Sequence, residues 1–138
     1  MRQRSALLAI IVSSVLASAL LLPACSKDKG TDASSCATLK QGADGTSRMT
    51  VVAKDLAFSK DCVQVEPGLL LITFDNQDKG TAHNLHVTGQ GINATTELTA
   101  GVSTQDLEVV LSEPGSYTFA CDPHGTMVGT ITVVEATS

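Results

Sequence analysis

The sequence predicts an all-β fold, an antiparallel Greek-key β-sandwich or barrel of about seven to eight strands, and three observations carry that expectation. Beyond residue 47, every apolar segment is short and rich in strand-forming residues. Turn-forming prolines, glycines and aspartates separate those segments. Past the N-terminal leader, no window keeps a helical apolar period over the length a helix needs.

Taken in order, "RMTVVAK" (48–54) opens the series and is followed by "LAF" (56–58) and "CVQV" (62–65). Pro67-Gly68 turns the chain into "LLLITFDN" (69–76), which Asp78-Lys79-Gly80 interrupts. "NLHVTG" (84–89) and "TQDLEVVL" (104–111) come next, and Pro114-Gly115 leads into "SYTFAC" (116–121) and "VGTITVVE" (128–135). About 90 residues suffice for a sandwich, although so small a core is helped by a disulfide or a metal.

The N-terminus follows different rules. "MRQRSALLAIIVSSVLASALLLPAC" sets two arginines before an uncharged apolar run, the build of a secretory signal rather than of the folded domain. "LPAC" resembles the lipobox of bacterial lipoproteins, which implies cleavage before Cys25 and lipid on that cysteine. Ordinary cleavage without lipid and an uncleaved anchor are the alternatives, and all three export the domain. The expected organisation is a signal peptide at 1–24, a tether at 25–46 with Cys36 pinned by a disulfide, and a domain at 47–138. "SKDKGTDASS" after Cys25 is small, polar and without apolar periodicity, as a flexible tether should be.

Removing residues 1–24 takes away two arginines and no acid, leaving seven basic against fourteen acidic side chains, a formal charge of −7. An acidic surface without a basic cluster repels nucleic acid, which excludes that class of partner, and it favours a partner with a basic face.

Cysteine usage agrees with export. Cys36 and Cys62 are expected to form a disulfide in an oxidising compartment, and closing a loop of that length is worth roughly 3–4 kcal/mol in the chain-entropy model. Two unpaired thiols are the alternative. Cys121 then has no cysteine partner and asks for another reason to be present.

Strand alternation says where the reactive side chains point. In "SYTFAC", Tyr117, Phe119 and Cys121 share the apolar, inward face. In "HNLHV", His83, Leu85 and Val87 point inward and His86 outward. Met127 falls on the inward side of the last strand, with Gly129, Ile131 and Val133. His124 lies in the loop between Cys121 and Met127. Two imidazoles and one thiolate around an ion, with a weak thioether on the axis, describe a blue-copper electron-transfer site. Zinc is expected to prefer a fourth hard or thiolate donor to methionine.

These motifs resemble those of the cupredoxins, the plastocyanin, amicyanin and halocyanin group of small blue copper proteins. "PGSYTFACDPHGTMVGTITV" looks like that family's last two strands and ligand loop, with the short Cys-x-x-His-x-x-Met spacing. "FDNQDKGTAHNLHV" looks like the strand and loop that supply the first histidine. The resemblance implies His83, Cys121 and His124 as strong copper ligands and Met127 as the axial one. It implies that the backbone amide of Asn84 donates to the cysteine sulfur and that the Asn84 side chain ties the two ligand loops together. The Cys36–Cys62 disulfide is not part of the plastocyanin or amicyanin pattern, so the N-terminal strand is expected to run differently. His86 has no counterpart among family ligands and reads as a surface side chain, and Tyr117 reads as structural.

The implied function is single-electron transfer by one copper ion in an exported, lipid-anchored, monomeric carrier of the cell envelope, with a redox partner docking near His124. The alternative is a copper module for storage, delivery or sensing. Enzymatic oxidase chemistry is not expected, since multi-copper enzymes need many more imidazoles than the three present, His83, His86 and His124.

Overall fold

Alternating inward and outward side chains close here into two facing sheets around one apolar core. The computed structural model describes residues 36–135. The signal peptide, Cys25 and the first part of the tether lie outside the described residues.

In chain order the strands are β1 (Ala37–Thr38), β2 (Thr46–Lys54), β3 (Ala57–Phe58), β4 (Cys62–Val65), β5 (Gly68–Asn76), β6 (Ala82–His83), β7 (His86–Gly89), β8 (Ile92–Thr95), β9 (Thr99–Ala100), β10 (Ser103–Leu111), β11 (Gly115–Cys121) and β12 (His124–Val133). There is no helix among the described residues. Of the twelve strands, β1, β3, β6 and β9 have only two residues each, too few to show an apolar period. The other eight correspond to the expected number.

One sheet runs β1-β4-β12-β11-β7-β8, the other β10-β5-β2-β3, and β6 pairs with β9. The all-β expectation holds, but the sheets are mixed rather than antiparallel throughout. β1 lies parallel to β4, β4 to β12, and β2 to β5. The cause is connectivity. After β3 the chain crosses to the other sheet as β4 and returns as β5, and such a crossover is what delivers a parallel neighbour.

The core alternates as the sequence requires. Met49, Val51 and Ala53 of β2 and Leu70, Ile72 and Phe74 of β5 face Val63, Val65, Tyr117, Phe119, Ile131 and Val133. All three phenylalanines of the chain meet there. The Phe58 ring centroid is 6.3 Å from Phe74 and 5.6 Å from Phe119, and each fully buried side chain of this kind contributes about 1.5–3 kcal/mol. Phe119 pairs across the ladder with Gly129, and its ring lies where a Cβ on that glycine would have to be. Tyr117 is buried and donates its hydroxyl to the Glu113 carbonyl at 2.8 Å, the local, structural role expected of it.

Cys36 and Cys62 are joined, with their Cα atoms 5.0 Å apart. Residues 36–45, grouped with the tether in the sequence reading, carry β1 and further hydrogen bonds to the domain, such as Leu39 N–H to the Gln64 carbonyl and Gln41 Nε2 to the Pro67 carbonyl. The N-terminal segment thus runs along β4, held at its start by the disulfide.

Candidate metal centre

Two loops at one end of the sandwich build the site. The first is the segment from Asn76 to Leu85, and the second is the turn that joins β11 to β12. In the second, a break in register does the work. The ladder pairs Phe119 with Gly129 and Ala120 with Val128, then jumps so that Cys121 pairs with His124. Only Asp122 and Pro123 separate those two, so a two-residue turn sets thiol and imidazole side by side. An uninterrupted ladder would have put Met127 opposite Cys121. The extra residues 125–127 instead bulge out of it, and Met127 is buried on the core side of the bulge.

The predicted donors converge. His83 Nδ1 lies 3.4 Å from Cys121 Sγ, and His124 Nδ1 lies 3.4 Å from the same sulfur. The three donor atoms all fall within 4.8 Å of one another. The two imidazole centroids are 4.6 Å apart. Such separations suit donors that share one first-row ion at bond lengths of about 2.0–2.3 Å. His83 is 0% exposed and Cys121 2%, whereas His124 is half-buried. Soft sulfur donors with two imidazoles match copper better than magnesium or calcium, which take oxygen. The residues present therefore fit a copper ion, which His83, Cys121 and His124 would hold as strong donors, with the thioether of buried Met127 as a weak fourth.

Hydrogen bonds between the two loops fix the donors' supports relative to one another. Asn84 Nδ2 donates to Asp122 Oδ2 at 2.7 Å, and the Asp122 amide donates back to Asn84 Oδ1 at 2.9 Å. This reciprocal pair ties the two ligand loops together, as the resemblance implied for Asn84. Burial pushes the Cys121 thiol above its ordinary range, while the backbone amides of Asn84 and His124, directed at the sulfur, pull the other way. A cation that replaces the thiol proton meets two N–H dipoles already aimed at the thiolate.

Three contributors were not foreseen. Asn76, 0% exposed, donates to the carbonyls of Thr81 and Thr99 at 3.0 Å each and accepts the Asp78 amide at 3.0 Å. Asp78 Oδ2 lies 2.9 Å from His83 Nε2. Asp122 reaches His86 as well as Asn84. In sequence, Asn76 and Asp78 look like ordinary turn punctuation, and only their position just before a ligand histidine hints at more.

His86 stays outside the donor cluster but is not merely solvated. Its Nδ1 is 2.8 Å from Asp122 Oδ1, and its Nε2 is 2.6 Å from Asn93 Oδ1. Two oxygen acceptors on one ring favour the doubly protonated form. The Asp122 carboxylate, then Asn93, accordingly raises the His86 pKa above its ordinary 6.5. His86, then Asn84, lowers that of Asp122. A raised folded-state pKa contributes stability that is full below 6.5 and fades as pH rises through the folded value. A depressed carboxylate contributes stability that fades only as pH falls through its own lowered value. The pair should therefore act from acid pH, above the lowered Asp122 value, up to the raised His86 value. In NMR titrations of the metal-free protein, Asp122→Asn should move the His86 pKa down toward 6.5. An unmoved value would show that Asp122 does not hold this imidazole.

Comparison with known proteins places this geometry. The family described as copper binding proteins, plastocyanin/azurin family, matches residues 46–134. No curated protein matches the chain. Among solved structures, the reduced auracyanin of the photosynthetic bacterium Roseiflexus castenholzii is 20% identical, covering 63% of this chain and 96% of its own, with a TM-score of 0.56. Auracyanin A, a "blue" copper protein from Chloroflexus aurantiacus, is 19% identical over 65% of this chain and 100% of its own, with a TM-score of 0.56. The metal binding domain of the Cu(I)-exporting P-type ATPase of Streptococcus pneumoniae D39 is 19% identical over 72% of this chain and 96% of its own, with a TM-score of 0.59. At such identities the structures testify to a shared fold, and the match over 46–134 carries the assignment. From β2 to the end of β12, this chain belongs to the plastocyanin/azurin family of copper-binding proteins.

Proposed function

We propose that the protein is an exported, lipid-anchored carrier of single electrons. The observation that supports this best is a two-histidine, one-cysteine cluster whose two loops are clasped by hydrogen bonds, with one of its imidazoles reaching the surface. When bound, copper supplies the redox couple, gaining and losing one electron. The chain's part is to hold the donors in nearly one geometry for both oxidation states. The Asn84–Asp122 clasp and the buried core strands oppose rearrangement of the ligands, so little structural change resists transfer.

His124 is the route by which an electron would reach the surface. Its neighbours Pro123 and Gly125 are exposed and uncharged, suited to a small transient contact. Acidic side chains elsewhere on a mature chain of formal charge −7 would steer a basic partner. Export and anchoring rest on the apolar leader and "LPAC" before Cys25, and the Cys36–Cys62 bond fits an oxidising compartment. The matched family and the absence of further imidazoles favour a carrier over an enzyme.

The test is reversible reduction and reoxidation of the copper-loaded protein by a small redox reagent, in the wild type and in His124→Ala. The variant should keep its fold yet exchange electrons at least about tenfold more slowly, the equivalent of about 1.4 kcal/mol in barrier. Slow cycling in the wild type, no slower in the variant, would instead identify a copper store or delivery module.

A further inference from the structure

The loop before β6 carries an acid whose partners lie on both sides of it. Asp78 Oδ1 accepts the Asp55 amide at 2.7 Å, and its Oδ2 accepts the Leu56 amide at 3.0 Å. The same Oδ2 faces His83 Nε2 at 2.9 Å. Asp55 and Leu56 form the two-residue turn between β2 and β3, with φ of 52° and 57°. Left-handed backbone costs about 1–2 kcal/mol for a residue such as leucine, so a conformation that aims two amides at one carboxylate is one the surroundings must enforce. Asp78 is itself fixed from behind, because its amide donates to buried Asn76 and its carbonyl accepts the Thr81 amide at 3.0 Å.

A carboxylate fastened in this way can only accept. In the neutral imidazole the ring nitrogen facing it therefore carries the one proton, which leaves Nδ1, the atom 3.4 Å from Cys121 Sγ, as a bare lone pair. We propose that Asp78 is a positioning residue for the copper centre, holding His83 as the Nε2–H tautomer with Nδ1 free for the ion and placing a fixed negative charge behind that ligand. This rests on the copper reading above and extends it. A negative charge behind the imidazole favours Cu(II) over Cu(I), so Asp78 lowers the reduction potential. The turn between β2 and β3, remote from the ligands in sequence, becomes part of the site through the two amides it lends.

Two measurements separate this from a purely structural role. The first needs no metal: ¹⁵N chemical shifts of His83 in the metal-free protein, at a pH where the ring is neutral, should report a protonated Nε2 and an unprotonated Nδ1. Asp78→Ala should mix the tautomers, and a wild-type Nδ1–H tautomer would overturn the proposal. The second is the reduction potential of the copper-loaded protein in Asp78→Asn, which keeps the shape and removes the charge. Loss of a partner behind a metal-bound imidazole typically costs 10–100-fold in metal affinity. A tenfold loss borne by Cu(II) alone would raise the potential by about 59 mV. A variant that is less stable but keeps the wild-type potential would show that Asp78 only props the turn, and would overturn the proposal. Should the wild type give no thiolate-to-copper band, the copper reading fails instead. The tautomer of the metal-free chain then decides alone: Nε2–H supports the hold of Asp78 on His83, and Nδ1–H overturns it.

Discussion

Cys121→Ser should abolish the intense blue or green absorption that the copper-loaded wild type is expected to show, leaving at most a weak, pale Cu(II) spectrum. That band requires a thiolate sulfur bonded to Cu(II), and Cys121 is the one free cysteine among the described residues. Serine supplies a hydroxyl that stays protonated near neutrality and cannot form the polarisable bond. The fold, by contrast, should barely register the change. A serine hydroxyl at this 2% exposed position has imidazole nitrogens within reach, so the metal-free variant should lose no more than about 1 kcal/mol. Absorption spectra and denaturant titrations on the same samples check both halves. A variant that kept the band would remove Cys121 from the site.

Gly129→Ala should be the most damaging single methyl added to the core. A Cβ at Gly129 would press on the tip of the Phe119 ring, whose Cζ, Cε2 and Cε1 atoms all fall closer than a real Cβ contact allows. The ring cannot easily swing aside, because Phe58 packs on it at 5.6 Å and Phe74 packs on Phe58. Overpacking of a filled core costs about 1–3 kcal/mol or more, and the upper end is expected here. The denaturation midpoint of the metal-free protein reads it. Phe119→Leu placed in the same chain should recover part of the loss, since the two residues share one contact and their effects are not additive. Full additivity would mean that the ring is not the obstacle. Phe119 also stands two residues before Cys121, so a displaced ring should disturb the visible spectrum as well as stability.

Much of this was legible in the sequence, and the reason is the two-residue period of strands. Alternation alone turned Tyr117, Phe119 and Cys121 inward together, sent His83 in and His86 out, and set Met127 on the core side with Gly129. The Cys-x-x-His-x-x-Met spacing then described a loop that the structure realises as a tight turn followed by a bulge. Parallel pairing was hidden, because it depends on a crossover between sheets and leaves no local trace. The turn at Asp55-Leu56 was hidden for the opposite reason. Two-residue hairpins advertise themselves with asparagine and glycine, and here a leucine adopts the left-handed conformation with support from Asp78, more than twenty residues away. The roles of Asp78 and Asp122 could not be read from spacing. Both are long-range hydrogen bonds from side chains that sit at turns and look like ordinary turn residues.

One contrast between the two imidazoles carries a further consequence. His83 has no exposed surface, whereas His124 is partly open to solvent. The donor cluster is closed at His83 and Cys121 and meets solvent at His124, a single doorway for an ion. Filling it should be governed by the swing of one side chain, not by refolding of the chain. A chelator that strips the ion should likewise work from the His124 side, and its size should matter more than its strength.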